Sequence, residues 1–178
     1  FEEVHPDRSL DRHLILCHIG HETTVVKIFE NGTLRYERVI EVGGDAFCRL
    51  LGEATERTPP EAGKELRTGH FFPTTREDLL GLISSRHLFE KIFGNWLREL
   101  HVTFRFYQDT FKVMRLPPIF LTGGSSRFEG LPEFLSDFFE TSCQRFNPLS
   151  HLPTSGDIDP AVLAMGPQIA PCMGLLVR

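Results

Sequence analysis

The chain has 178 residues, and its 19 Lys and Arg against 24 Asp and Glu leave a formal charge of −5. That length fits one domain, or one compact unit with an inserted subdomain, and buries about 70% of the unfolded surface without a disulfide or metal staple. The acidic balance argues against a nucleic-acid binder, whose affinity rests on clustered Lys and Arg, and no run of about 18 apolar residues is present to span a bilayer.

Cys17, Cys48, Cys143 and Cys172 are widely spaced and form no CxxC pair. In a chain of this size they read as free thiols in a reducing, cytoplasmic setting. The opening FEEVHPDRSLDRH has neither the basic start nor the apolar stretch of a signal peptide. A start at Phe1 without Met reads as a cut edge.

In chain order, RHLILCHIG is a short apolar run closed by Gly20, as a buried strand would be. TTVVKIF is rich in β-branched residues, and Asn31-Gly32 is the pair best suited to a type I′ turn. TLRYERVIEV then alternates, with Leu34, Tyr36 and Ile40 apolar. Residues 12–42 therefore predict an antiparallel three-stranded meander turning at Gly20-His21 and Asn31-Gly32.

Gly43-Gly44-Asp45 changes the period from 2 to 3.6. Asp45 is positioned to cap a helix to about residue 57, with Phe47, Leu50, Leu51 and Ala54 on one face. Pro59 or Pro60 opens a second, short helix reaching Arg67 and stopped by Gly69. HFFPTT reads as loop. From Thr75 to Phe111 aromatic and aliphatic residues recur at spacings of three and four, a stretch of about 50 Å if unbroken. A break is expected near Ser84-Ser85 or Gly94.

PIFLT is a second strand signal running into two glycines, and LPEFLSDFFE is an amphipathic helix started by Pro132. CQRF reads as a short strand and NPLSHLPTSGD as loop. Residues 160–178 suit a final buried helix, interrupted by Pro167 and Pro171. The order β-β-β-α-α-long α-β-α-β-α predicts an α/β unit with a mixed sheet flanked by helices.

Two junctions bear chemistry. Around Gly20, in HIGHETTVV, a tight glycine turn lets backbone N–H groups converge on an anion, with the Thr23 and Thr24 hydroxyls as further donors. In FLTGGSSRFEGL, paired glycines let a flat ring or a phosphate lie on the backbone at the start of a helix. Simple turn geometry explains either one taken alone. His13, Cys17, His18 and His21 do not make a zinc set, because strand alternation sends Cys17 and His18 to opposite faces. Ser125 and Ser126 lack a sequence-evident Asp/His partner for nucleophilic work. Of the 16 phenylalanines, Phe71, Phe72, Phe138 and Phe139 are hard to bury together, and an exposed subset would mark an interaction patch.

The segments LILCHIGHETTVVKIFENGTLRYERVIEVGGDAF, HVTFRFYQDT, IFLTGGSSRFEGLPEFL and AVLAMGPQIAPCMGLLVR together resemble the actin-like ATPase superfamily. Within it they are most similar to the PilM family of type IV pilus assembly proteins, relatives of the cell-division protein FtsA. The resemblance implies a ribonuclease-H-like fold with nucleotide held in a cleft between two lobes. Residues 1–178 would form a single lobe, mainly the second, with 59–110 as a helical insertion or long-helix region. The strand and phosphate loop of the first lobe have no counterpart. By the resemblance, Gly20 with Thr23 or Thr24 matches a phosphate-binding hairpin. Gly43 and Gly44 match the pair opening the nucleotide-side helix, and Gly123 and Gly124 match the adenosine turn.

Two departures set expectations. The family has Asp-Ile-Gly at the hairpin where this chain has His18-Ile19-Gly20, and an imidazole cannot replace a hard oxygen ligand for magnesium. On the ribose-side helix the family tends to Ala-Glu-x-x-Lys, whereas EAGKELR places Gly63 and Leu66 at the two polar positions. Lys64 or Arg67 is the nearest compensation. The resemblance thus points to a non-catalytic cytoplasmic scaffold of a pilus or secretion-type assembly with a degenerate nucleotide site. ATP and magnesium are the cofactors the family implies, though none is expected to be needed here. An inner-membrane assembly protein would be the partner, with the membrane reached only through it and self-association allowed. The alternatives are an active ATPase or sugar-kinase-like phosphotransferase completed by a first lobe, and a freestanding adaptor.

Overall fold

A computed structural model describes residues 13–69, 71–72, 86–150 and 159–174. The meander forms as its alternation predicts, with β1 at His13–Ile19, β2 at Thr24–Glu30 and β3 at Thr33–Ile40. Asn31 and Gly32 both take positive φ, at 49° and 72°, the backbone a type I′ turn requires. Helices α1 (Gly44–Thr55), α2 (Pro59–Thr68) and the long α3 (Arg86–Phe111) follow. Then come β4 (Ile119–Thr122), α4 (Leu131–Phe139), β5 (Cys143–Arg145) and two peripheral helices, α5 (Pro160–Leu163) and α6 (Gly166–Gly174).

The sheet is mixed and five-stranded, in the order β3-β2-β1-β4-β5. Its meander half is antiparallel, while β1–β4 and β4–β5 are parallel, with Ile15 opposite Ile119 and Ile119 opposite Cys143. Strand alternation divides β1 between two layers. Ile15, Cys17 and Ile19 join the main core with Phe47, Leu51, Leu66, Phe93, Trp96 and Leu135. Leu14 and Leu16 meet Phe120, Phe146 and Ala170 on the other face.

Aromatic residues fill the main core. Phe47 packs edge-on against Trp96 at 5.4 Å and tilted against Phe93 at 4.8 Å. Phe72 bridges Phe93 and Phe134 at 4.7 and 5.6 Å. Most of the phenylalanines expected to resist burial are therefore packed: Phe72 is buried, Phe71 and Phe139 are partly so, and only Phe138 of the four is half exposed.

Several boundaries differ from expectation. Asp45 does not cap α1. The N-cap is Gly43, and α1 ends at Thr55 when Glu56 turns left-handed. Ala54 is exposed, so the buried face of α1 is Phe47, Leu51 and Gly52. Helix α3 passes through Gly94 without a break, because the buried residues on either side, Phe93 and Trp96, hold it against α1. The expected helical start at Thr75 and the break at Ser84-Ser85 lie outside the described residues. The final helix is split in two and is mostly exposed, since only Gly166 and Pro167 within it are buried among the described side chains. It lies at the periphery, touching the sheet chiefly through Ala170.

Candidate functional site

The three glycine turns singled out from the sequence meet at one end of the sheet. Gly20 follows β1, Gly43-Gly44 opens α1 and Gly123-Gly124 follows β4. β1 and β4 are parallel neighbours with His18 opposite Thr122, so their C-terminal ends emerge side by side. The turns are bonded to one another. The Gly44 amide donates to the Gly20 carbonyl at 2.9 Å, and the Asp45 amide donates to that of His21 at 2.8 Å. Within the hairpin the Gly20 amide donates to the Thr23 carbonyl at 2.9 Å. The Gly123 amide donates to Pro167 at 2.7 Å, so the start of α6 closes on the second turn.

Close packing explains three of the glycines. A Cβ on Gly43 would stand 2.5 Å from the His21 carbonyl oxygen, and one on Gly44 would overlap the Ser125 hydroxyl. Gly123 sits at φ 90°, ψ 170°, a region open essentially to glycine alone, and its Cβ would strike the Ile19 carbonyl. Gly20 and Gly124 are less constrained, with nearest neighbours at 3.1 Å (Thr23 O) and 3.4 Å (Gln168 Nε2).

The two threonines separate. Thr24 is fully buried, where its hydroxyl donates to the Val42 carbonyl at 2.8 Å and accepts the Trp96 indole N–H at 3.0 Å. It therefore ties the hairpin to α3. Thr23 is half-buried at the turn itself. The serines after the glycines are also engaged: Ser126 Oγ donates to the Gly123 carbonyl at 2.7 Å and Ser125 Oγ to that of Gly20 at 3.5 Å. Sequence reasoning missed Arg145, which ends β5 and donates to the carbonyls of Ser126 and Phe128, each at 2.8 Å, fastening the 3₁₀ turn at Gly124–Arg127. No local pattern flags it, because its partners are backbone atoms some twenty residues away.

At the hairpin, His18 Nδ1 lies 3.0 Å from Thr122 Oγ1. Burial holds the imidazole below its ordinary value of 6.5, favouring the neutral ring. A neutral nitrogen donor is a poor ligand for magnesium, which takes oxygen. Among the described residues there is no grouping of three or more His, Cys, Asp or Glu that could hold a metal. His13, considered above with His18, has other partners: Tyr107 OH at 2.5 Å and Glu30 at 3.4 Å. On α2, Gly63 is buried against Cys48 and Leu66 is fully buried. The face that would carry ribose contacts is therefore part of the core. Lys64 and Arg67 are exposed.

The family model for the type IV pilus assembly protein PilM matches residues 1–178. The chain belongs to the PilM family. No curated protein matches the sequence. Solved structures show how this PilM-family chain folds. A PilM-PilN type IV pilus biogenesis complex aligns at TM-score 0.66 and 21% identity, covering 93% of this chain and 45% of the other. A MreB protein of Spiroplasma citri bound to AMPPNP aligns at 0.58 and 13% identity, over 99% of this chain and 60% of the other. The ethanolamine utilization protein EutJ from Carboxydothermus hydrogenoformans aligns at 0.52 and 15% identity, over 80% and 46%. The fold is that of the actin-like ATPases, and the chain spans less than half the length of the PilM structure it matches.

Proposed function

We propose that this PilM-family lobe is a non-catalytic scaffold in type IV pilus assembly, working on the cytoplasmic side of the inner membrane through a membrane-anchored assembly protein. Membership of the family supports the assembly role, and a similar structure holds PilM with PilN, a protein partner. The scaffold reading rests on one observation above all. The glycine turns persist with their backbones packed on one another, while the polar positions beside them are His18, Gly63 and Leu66. At Gly43, Gly44 and Gly123 close packing accounts for glycine with no ligand invoked. The residues of this lobe do not fit a magnesium nucleotide: an imidazole stands at the expected carboxylate, and core side chains stand at the expected ribose contacts.

Calorimetric titration of the chain with Mg-ATP tests this. No micromolar binding and no phosphate release are expected. Micromolar binding with steady phosphate release would overturn the proposal in favour of a working ATPase. Turnover seen only in a longer protein containing this lobe would place the catalytic acid in the remaining length.

A further inference from the structure

β3 is the outermost strand of the order β3-β2-β1-β4-β5, and among the described residues nothing pairs with its free side. An open edge presents a row of unpaired backbone N–H and C=O groups and accepts a further strand unless something blunts it. Five of the eight residues of β3 are exposed, more than in any other described strand. Its register against β2 shifts between Ile28 and Phe29, which disrupts the end nearest Thr33. From Tyr36 to Ile40 the pairing is regular, with Tyr36 opposite Ile28 and Ile40 opposite Thr24. The regular edge is thus residues 36–40.

Helix α3 walls one face of that edge. The Tyr36 and Phe106 rings meet at 5.5 Å, and the Arg38 guanidinium donates to the Glu99 carboxylate at 2.6 Å. Contacts that rise along β3 as they fall along α3 set the two antiparallel. Val102, three residues after Glu99 and four before Phe106, shares their side of the helix. Phe106 packs on Tyr36 yet keeps 51% of its surface exposed, and Val102 keeps 50%. Strand alternation puts Val39, 48% exposed, on the opposite face of the same edge. Arg98 and Arg105 stand one residue before Glu99 and Phe106, both exposed and about 10.5 Å apart along the helix at 1.5 Å per residue. Glu99 is already held by Arg38, and among the described residues neither Arg98 nor Arg105 is in an ion pair. Asp109, one turn past Arg105, offsets only part of this charge.

We infer that the β3 edge takes an extended segment of a partner protein as an added strand, and that this segment reads acid, apolar, acid at alternate positions on the side facing α3. Alternate side chains of a strand share a face, and residues four apart stand about 13 Å apart at 3.3 Å per residue. Acids at the two ends of such a segment therefore come within reach of the long Arg98 and Arg105 side chains. The apolar residue between them falls over Val102 and Phe106, and apolar residues on the other face cover Val39. Main-chain hydrogen bonds to β3 supply affinity, and the side-chain pattern supplies selectivity. A basic segment would be repelled. A second copy of the chain is a poor occupant, because β3 itself carries Tyr36, Arg38 and Ile40 at these positions, a cation and no acid. The inference stands whether or not the lobe binds nucleotide.

The probe is a fluorescein-labelled peptide, Ser-Gly-Glu-Val-Ile-Val-Glu-Gly-Ser, titrated with the unmodified chain and followed by fluorescence anisotropy. Saturable binding is expected, weakening as salt rises from about 0.05 M to about 0.5 M, where screening reaches only a few ångströms. Methylating the backbone nitrogens of its Val-Ile-Val core should abolish binding, because the edge hydrogen bonds need those N–H groups. The same peptide with Lys in place of Glu should not bind. Arg98→Glu with Arg105→Glu should weaken the Glu peptide by about tenfold or more and admit the Lys peptide, an exchange that a misfolded variant would not show. Hydrogen exchange should slow at the amides of residues 33–40 when the Glu peptide is bound. Absence of saturable binding up to about 1 mM peptide would overturn the proposal. So would binding indifferent to N-methylation and to charge reversal, or exchange that slows only outside β3 and α3. A chain that dimerises with its β3 amides protected, and that the peptide does not displace, would also overturn it and assign the edge to a second copy.

Discussion

Thr24 shows at the scale of one residue how position decides role. Its sequence neighbours make it a fair phosphate contact, yet its hydroxyl lies between the Trp96 indole and the Val42 carbonyl in the core. Thr24→Val, nearly equal in volume, would leave the buried Trp96 N–H unpaired and the part-buried Val42 carbonyl without its donor, at a cost of about 1–3 kcal/mol. Urea unfolding followed by the fluorescence of Trp96 should show that loss. A stable variant would mean that the network carries little weight. His18 gives a second outcome at this scale. Because burial lowers its pKa in the folded state, the unfolded chain binds the proton more readily over the window just below 6.5. The contribution of neutral His18 is therefore complete above 6.5 and is lost as pH falls through the lowered folded value. Denaturant midpoints measured from neutral to mildly acidic pH should decline, and His18→Asn should flatten part of that decline. An identical slope in the variant would assign the acid sensitivity to other groups.

At the scale of elements, the turns after β1 and β4 matter more than the helices that follow them. Gly123→Ala forces a Cβ into a backbone region nearly closed to it and onto the Ile19 carbonyl, so a loss of about 2 kcal/mol or more is expected. Gly124→Ala meets only the movable end of Gln168 and should cost well under half as much. Thermal unfolding of the pair checks this. Equal losses would mean that the turn takes up the added Cβ by shifting β1. Element signals were legible wherever short-range chemistry fixes the backbone: Asn31-Gly32 at its turn, and Pro59 at the first position of α2. They failed where tertiary contact competes with local preference. Gly94 reads as a helix breaker, yet the aromatic packing of Phe93 and Trp96 offsets its cost, roughly 1 kcal/mol relative to Ala.

For the whole molecule, the mixed sheet β3-β2-β1-β4-β5 is what turns three distant glycine motifs into one site. Parallel pairing of β1 with β4 sends both chains out at the same edge, and the antiparallel meander returns α1 to that edge as well. Arg145 and Pro167 belong to this scale, since each fastens a turn distant in the chain.

The amino-acid order alone determined the meander, the helical rhythm, the glycine turns and the family, because periodicity and turn chemistry act over a few neighbouring residues. Only the folded structure showed what those glycines pack against. Whether a Cβ fits at Gly43, Gly44 or Gly123 depends on the His21–Glu22 turn, the Ser125 hydroxyl and the Ile19 carbonyl, each distant in the chain, and that proximity is written nowhere in the local sequence.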